Sequence, residues 1–111
     1  MAFHDFYRLS SHAVICNAQQ QVLLLKATYA DQAWGLPGGA LDMGETIHEA
    51  LIRECQEEIG CQAQIKQFVG RFETATANEP DHRLVSYVYY VQLDQDPQVQ
   101  AEIAEIDRKS V

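Results

Sequence analysis

The sequence has few basic residues. Eight Lys and Arg stand against 16 Asp and Glu in 111 residues, which gives a formal net charge of −8 at pH 7. The basic residues are scattered and do not form the stripe that a nucleic-acid groove needs. A nucleic-acid polymer is therefore not an expected partner. A small phosphorylated ligand is compatible with this charge, because a bound metal ion can supply the missing positive charge.

The sequence also lacks a cysteine motif and a long apolar run. Its three cysteines are odd in number and show no CxxC spacing, so disulfides and a structural zinc are not expected, and each cysteine should pack as a small apolar residue. No segment approaches the roughly 18 apolar residues that a membrane-spanning helix needs. Residues 1–10 carry charged side chains and no apolar signal core. We therefore expect a cytoplasmic protein with no membrane partner.

Length and composition predict a single domain over residues 1–111. Apolar residues make up 47% of the chain, which is enough for a core. Alternating or continuous apolar patterns predict strands over residues 11–16, 22–27, 62–74 and 83–93, the last of them central and covered on both faces. Loops are expected at 28–33 and 75–82, and residues 101–111 are ambiguous between a strand and a tail. Several strands and one helix predict a mixed sheet with the helix on one face.

The clearest predicted element is a helix over Ile47–Ile59. Thr46 followed by Glu49 fits a capping box at its start, and Gly60 is suited to end it in a left-handed conformation. Before this helix lies the densest run of turn residues in the chain, Trp-Gly-Leu-Pro-Gly-Gly over residues 34–39, followed by Gly44.

Three carboxylates conflict with the apolar face of this helix. At about 100° per residue, Glu54 and Glu58 fall within the apolar arc and Glu57 lies just beyond its edge. Carboxylates about 5 Å apart repel by roughly 3 kcal/mol at an effective dielectric of about 20, so a positive partner is required. Arg53 is one candidate. A divalent cation is the other, and oxygen ligands favour magnesium, manganese or calcium over zinc.

The alternative is an ordinary solvated face, on which Glu54, Glu57 and Glu58 merely lie near Arg53 and Lys66. The glycines before the helix favour a ligand site, because they let the backbone turn sharply and approach a ligand closely. Backbone carbonyls in such a loop can complete a site for a hard cation. From the helix or the loop alone, the two interpretations stay open.

Taken together, the loop and the helix resemble the Nudix box from Gly39 to Cys61. The box demands a specific residue at seven positions, and all seven are filled: Gly39, Glu45, Arg53, Glu54, Glu57, Glu58 and Gly60. Cys55 and Cys61 hold its two apolar positions, where the family usually has Leu, Ile or Val. Residues 34–39 resemble the usual lead-in. The resemblance implies an α/β (α+β) Nudix fold, a mixed β-sheet with the Nudix helix on one face.

The resemblance also implies a hydrolase. Family members bind Mg²⁺ or Mn²⁺ at this box and hydrolyse a phosphoanhydride bond in a small nucleotide-type substrate. By this resemblance the metal ligands would be Glu54, Glu57, Glu58 and the carbonyl of Gly38. Arg53 would orient the carboxylates, Gly39 and Glu45 would support the loop, and Glu54 is the first choice of general base.

Some family members use a carboxylate outside the box. Glu102 and Glu105 stand near where such a residue often falls, and Glu79 and Asp81 are weaker candidates. Surface charge is the ordinary role of all four. Trp34, Tyr29, Phe72 and Tyr87 can stack on a base or pack in the core, and the core is the default expectation. The four histidines show no ligand spacing, and no role is assigned to them.

One departure from the family concerns the end of the chain. Members usually carry a second helix after the last strand, and Val111 stands about where that helix would begin, so the usual C-terminal helix is expected to be absent. An exposed apolar sheet face would favour a homo-oligomer. Two rivals of the hydrolase remain: a Nudix-fold module that binds a nucleotide without cutting it, and an interaction protein whose helix carboxylates face solvent.

Overall fold

The fold consists of two small sheets and one helix. A computed structural model describes residues 6–28, 33–75, 82–98, 100 and 103–110. Its elements in chain order are β1 (Phe6–Val14), β2 (Gln21–Ala27), β3 (Trp34–Gly35), β4 (Gly38–Ala40), α1 (Ile47–Ile59), β5 (Ala63–Ala75), β6 (His82–Leu93) and β7 (Ile103–Ser110). This mixed α+β architecture with one helix confirms the predicted fold class.

The larger sheet is mixed. Its four strands have the order β4-β1-β6-β5, and β1 pairs with β6 in parallel while the other two pairings are antiparallel. The smaller sheet has the order β3-β2-β7 and is antiparallel. The predicted irregularity of β5 takes the form of two register shifts against β6, near Gln67 and Gly70. The strand β4 is an edge strand of three residues, and it lies directly before α1.

Helix α1 has the predicted bounds and caps. Thr46 accepts a hydrogen bond from the amide of Glu49, and the Glu49 carboxylate accepts one from the amide of Thr46 in return. Gly60 closes the helix in the left-handed region at φ 67°. The capping box satisfies amides that the first helical turn leaves free. Both predicted caps are thus confirmed.

The core lies between α1 and the sheets. Leu51, Cys55 and Ile59 of the helix are fully buried and pack with Ala13 and Leu23 of the first two strands. Cys55 and Cys61 are both buried and unbridged, as predicted for small apolar residues, whereas Cys16 is exposed and the prediction is wrong for it. Burial raises the pKa of the Cys55 thiol to about 12. The two cysteines therefore replace larger apolar residues without adding reactive thiolates.

The other face of the larger sheet is only partly covered. Ala13 and Val91 point towards α1, so the alternation of side chains directs Leu84, Ser86 and Tyr90 to the opposite face. Leu84 is 43% exposed and Tyr90 is 45% exposed. β6 is therefore central, as predicted, but the prediction that it is covered on both faces is wrong, because α1 is the single α-helix of the described residues and it covers one face.

The structure changes one further prediction and resolves another. The segment predicted as turns at residues 34–39 contains the short strands β3 and β4, because their backbones pair with β2 and β1. The ambiguous C-terminal segment forms β7, which pairs with β2 over almost its whole length. Most of the predicted loops at 28–33 and 75–82 lies outside the described residues.

In the described part of the chain, no helix has the length and apolar character needed to cross a membrane.

The capping box gives a first prediction. Thr46→Ala should lower the free energy of unfolding by about 1 kcal/mol, because the amide of Glu49 loses its acceptor. Thr46→Ser keeps the hydroxyl and serves as the matched control. It should lower the free energy of unfolding by no more than about 0.3 kcal/mol. Urea denaturation followed by circular dichroism measures both. Equal stability of the two variants would contradict the prediction that the Thr46 hydroxyl stabilises the helix.

Candidate metal and phosphate site

The site begins where the chain from Pro37 to Gly39 passes between β1 and α1. A Cβ atom at Gly39 would lie 2.8 Å from the carboxyl carbon of Glu54, and one at Gly38 would overlap the carbonyl oxygen of Ser11. Gly38 also has a φ of 140°, which side chains rarely adopt. Neither position tolerates a side chain as the structure stands. The missing Cβ atom of Gly39 leaves room for the Glu54 carboxylate, and the missing Cβ atom of Gly38 lets β4 lie against β1.

Arg53 lies at the centre of the acidic cluster. Its guanidinium donates to both oxygens of Glu45, at 2.7 and 2.9 Å, and to Oε1 of Glu54 at 2.9 Å. It also donates to Glu57 at 3.1 Å and to the carbonyl of Ala40 at 3.1 Å. Hydrogen bonds to Glu45 raise the pKa of Arg53. Such charge-assisted bonds fix both the arginine and its partners in orientation.

The acidic cluster carries more negative charge than Arg53 neutralises. Asp42 completes the group, with Oδ2 at 3.3 Å from Nε of Arg53. Four carboxylates therefore surround one guanidinium, which leaves a formal excess of three negative charges when all are ionised. Repulsion within such a group opposes folding unless another cation is present. The charge imbalance is the main electrostatic feature of the site.

The three helix carboxylates have different environments. The Glu54 side chain is 16% exposed and lies against Gly39, whereas the Glu57 side chain is 55% exposed. Glu58 turns to the loop and accepts a hydrogen bond of 2.8 Å from the amide of Gly38. Burial raises the pKa of Glu54, against the lowering influence of Arg53. The hydrogen bond from Arg53 lowers the pKa of Glu45.

The predicted site residues fall into two groups. Those of the box and its lead-in, from Gly38 to Glu58, lie together around the start of β4 and one side of α1. Glu105 lies elsewhere, on β7, with its carboxylate 3.5 Å from Nζ of Lys26. Glu102, Glu79 and Asp81 lie outside the described residues. Whether any carboxylate beyond the box takes part stays a prediction.

The donor chemistry of the cluster fits a hard divalent cation. Glu54, Glu57 and Glu58 supply oxygen atoms only, which is what Mg²⁺ and Mn²⁺ prefer. In the described part of the chain, no three acidic, histidine or cysteine side chains already have the arrangement of a metal site. Glu54 and Glu57 are instead drawn to Arg53, and Glu58 to Gly38. Binding of a cation would require rotation of these side chains.

The sequence did not indicate three polar residues near the loop. Asp42 joins the Arg53 cluster, although it precedes the helix and stands at a position of the box that demands no specific residue. Ser11 is fully buried opposite Gly39, and its hydroxyl has no hydrogen-bond partner among the described residues. His12 lies opposite Gly38, with Nδ1 2.6 Å from Oγ of Ser86. Strand register, which local sequence does not encode, brings Ser11 and His12 to the loop.

The aromatic residues differ from their default expectation. Trp34 is 43% exposed and Phe72 is 55% exposed, so the expectation that they pack in the core is wrong. Trp34 lies on the two-residue strand β3, and Phe72 lies on the uncovered face beside β6. Tyr87 is partly buried, and Tyr29 lies outside the described residues. Two aromatic rings are thus free to contact a ligand.

Comparison with known proteins supports the same motif. The family model of the NUDIX domain matches residues 6–109. A candidate 8-oxo-dGTP diphosphatase from Bacillus subtilis (strain 168) is 33% identical over 76 residues, which cover 68% of this chain and 50% of that protein. An RNA pyrophosphohydrolase from Ruthia magnifica subsp. Calyptogena magnifica is 50% identical over 54 residues, which cover 49% of this chain and 30% of that protein. The chain spans half the length of these curated relatives or less.

Solved structures match over nearly the whole chain. A MutT NUDIX hydrolase from Burkholderia pseudomallei superposes with a TM-score of 0.84 at 25% identity, covering 96% of this chain and 84% of that one. A MutT protein from Methanosarcina mazei Go1 gives a TM-score of 0.82 at 25% identity, covering 98% and 80%. The similarity therefore includes the sheets as well as the motif.

The close approach of Gly39 to Glu54 gives a second prediction. Gly39→Ala should lower the free energy of unfolding in chelator by about 1 kcal/mol, because the Glu54 carboxylate must move and weaken its bond to Arg53. Most of this loss should disappear in a Glu54→Ala background, where nothing opposes the new methyl group.

Gly35→Ala is the matched control, because a Cβ atom there meets nothing within 4 Å. Its effect should stay within about 0.5 kcal/mol. Chemical denaturation of the four variants and the parent protein measures the coupling. An equal cost of Gly39→Ala in both backgrounds would contradict the proposed contact.

Proposed function

Because the chain belongs to the Nudix family, we propose that it is a hydrolase that cuts a phosphoanhydride bond in a nucleoside diphosphate linked to another moiety, with water attacking phosphorus. The observation that carries this proposal is the excess of carboxylates around Arg53, beside a glycine loop that holds Glu54 and Glu58. The names of the curated relatives, a diphosphatase and a pyrophosphohydrolase, support cleavage of a phosphoanhydride bond.

The cofactor of this reaction would be Mg²⁺ or Mn²⁺. Glu54, Glu57 and Glu58 would hold it, together with the carbonyl of Gly38. When bound, the cation would neutralise the diphosphate and lower the pKa of a coordinated water. The excess negative charge of the cluster supports this assignment, because a divalent cation would offset most of it.

The chain's own residues would share the remaining tasks. Glu54 is our first choice of general base, since its carboxylate lies against the glycine loop beside Arg53, where the reacting water would be held. Arg53 would keep Glu54 and Glu57 in orientation, and Glu45 would hold Arg53 through two hydrogen bonds. Gly39 would permit the close position of Glu54. A carboxylate outside the box, Glu102 or Glu105, stays an alternative base.

The proposed substrate is a small nucleotide rather than a nucleic-acid polymer. The net charge of −8 opposes binding of a long polyanion, while a single diphosphate needs only the local cation. The relative named as an RNA pyrophosphohydrolase makes the 5′ end of an RNA a necessary comparison. A cytoplasmic location is consistent with this class of substrate and stays a prediction.

The activity is tested with a panel of phosphoanhydrides. Nucleoside triphosphates, ADP-ribose, dinucleoside polyphosphates, nucleotide sugars and a 5′-triphosphorylated RNA oligomer are incubated with Mg²⁺, with Mn²⁺ and with chelator. We expect release of phosphate or nucleoside monophosphate only with a cation. Glu57→Gln should reduce turnover by about 100-fold or more, because one charged oxygen ligand is lost.

Glu73→Gln is the matched control. Glu73 also accepts a hydrogen bond from an arginine, Arg71, at 2.8 Å, but this pair lies on β5 outside the cluster. Its turnover should equal that of the parent protein. A folded protein that binds the cation and cuts no member of the panel would instead be a nucleotide-binding module. If a cation changed the stability of neither the parent protein nor Glu57→Gln, the result would favour an interaction protein whose helix carboxylates face solvent.

We also retain the prediction of a homo-oligomer. Phe72, Leu84 and Tyr90 expose apolar area on the sheet face opposite α1, and such faces are often covered by a second subunit. Multi-angle light scattering across a range of concentrations should give a mass above the 12.5 kDa of one chain. A single mass of 12.5 kDa at all concentrations would contradict this prediction.

A further inference from the structure

Ser11 carries a buried hydroxyl group without a hydrogen-bond partner. The residue is fully buried, and among the described residues its Oγ is the single buried side-chain oxygen or nitrogen atom that no group bonds. A hydroxyl in this position has given up its bonds to water and gains none in return, which opposes folding. Alanine at the same position would avoid this cost. The presence of the hydroxyl therefore needs an explanation.

Strand register directs the Ser11 side chain towards α1. Ala13 packs in the core with this helix, and residues two apart on a strand share a face. On β4 the residue opposite Ser11 is Gly39. Directly opposed residues of an antiparallel pair lie on the same face, with their Cβ atoms about 5 Å apart. A side chain at position 39 would therefore be a direct neighbour of the Ser11 side chain.

The Glu54 carboxylate occupies the place of that missing side chain. An ideal Cβ atom at Gly39 would lie 2.8 Å from Oε1 of Glu54 and 3.0 Å from Oε2. Arg53 donates to Oε1, and in the part of the chain that the structure describes Oε2 accepts no hydrogen bond. A hydroxyl and a carboxylate oxygen that both lack a partner therefore lie on the same side of Gly39.

The neighbour of Ser11 on its other side has a different partner. Tyr87 of β6 is paired with Ser11, and its hydroxyl forms a hydrogen bond with Arg71 on β5. Its polar end is thus engaged at the far side of the sheet. Glu54 is the acceptor that the fold brings to the Ser11 hydroxyl.

Arg53 determines where the Glu54 carboxylate lies. Its guanidinium donates to Oε1 at 2.9 Å and also to Glu57. If Glu54 bound a cation, its carboxylate would turn away from this guanidinium, and carboxylates that bind a metal ion normally accept a further hydrogen bond. An ionised carboxylate has about four lone-pair positions, so Glu54 can contact a cation and accept from a hydroxyl at once. A bond that forms only in the cation-bound protein increases the affinity for the cation.

We propose that Ser11 is a positioning residue, whose hydroxyl donates to Glu54 when this carboxylate binds a divalent cation. The identification of Glu54 as a ligand rests on the proposed hydrolase function. The unpartnered hydroxyl and its place beside Gly39 rest on the structure itself. Removal of the hydroxyl should therefore weaken cation binding without a loss of stability in chelator.

The first experiment compares cation affinity with stability. The dissociation constant of Mn²⁺ is measured for the parent protein and for Ser11→Ala by water-proton relaxation or titration calorimetry. Ser11→Ala should weaken binding by about 10-fold or more, within the usual range for residues that hold a metal ligand in place. In chelator, its urea midpoint should equal or exceed that of the parent protein, because an unpaired hydroxyl is removed and no bond is lost.

Ser10→Ala is the matched control. Ser10 is the adjacent serine of β1, but its side chain lies on the other face of the strand, where Oγ donates to the carbonyl of Val85 at 3.4 Å. Its dissociation constant for Mn²⁺ should match that of the parent protein. Unchanged affinity in Ser11→Ala, or an equal loss in both variants, would overturn the proposal. A lower urea midpoint of Ser11→Ala in chelator would also overturn it, because the hydroxyl would then have a partner before any cation binds.

The second experiment tests whether Ser11 acts through Glu54. In a Glu54→Ala background, Ser11→Ala should change the Mn²⁺ dissociation constant by less than about 2-fold, because the acceptor is absent. In a Glu57→Gln background, the loss of about 10-fold should persist. A loss that persists without the Glu54 carboxylate would overturn the assignment of the partner. A parent protein that binds no Mn²⁺ would contradict the hydrolase proposal as well, whereas unchanged binding in Ser11→Ala would contradict the role of Ser11 alone.

Discussion

The arrangement of the site depends on the close packing of one peptide, Gly38–Gly39, between β1 and α1. Gly39 leaves room for the Glu54 carboxylate, and Gly38 has a backbone conformation that a side chain would oppose. Two further bonds hold the segment in place, from the amide of Ala13 to Pro37 and from the amide of Gly38 to Glu58. A side chain at Gly38 would push β4 away from β1, and one at Gly39 would displace the Glu54 carboxylate. The Glu54 carboxylate lies against the loop because Gly39 has no Cβ atom, and the loop lies against β1 because Gly38 has none.

Arg53 resolves part of the electrostatic conflict that this packing creates. Its guanidinium lies among four carboxylates and also donates to a backbone carbonyl, so it anchors the helix to the loop before any cation is present. Buried or half-buried carboxylates without a partner would be much more costly. The remaining negative charge is not offset by another basic side chain of the motif. Stability in the absence of a cation and affinity for one are therefore opposing demands on the same few residues.

The sequence predicts much of this site because its determinants are local. The capping box, Gly60 and the spacing of apolar residues define α1 to the residue, and the same helix fixes which carboxylates share a side. The short strands β3 and β4 were not predicted, since two or three residues acquire strand structure only from their pairing partners. For the same reason Ser11 and His12 carried no signal, because they meet the loop only through the pairing of β1 with β4. Ser86 lies 74 positions along the chain from its partner His12. Long-range register is not encoded in any window of the sequence.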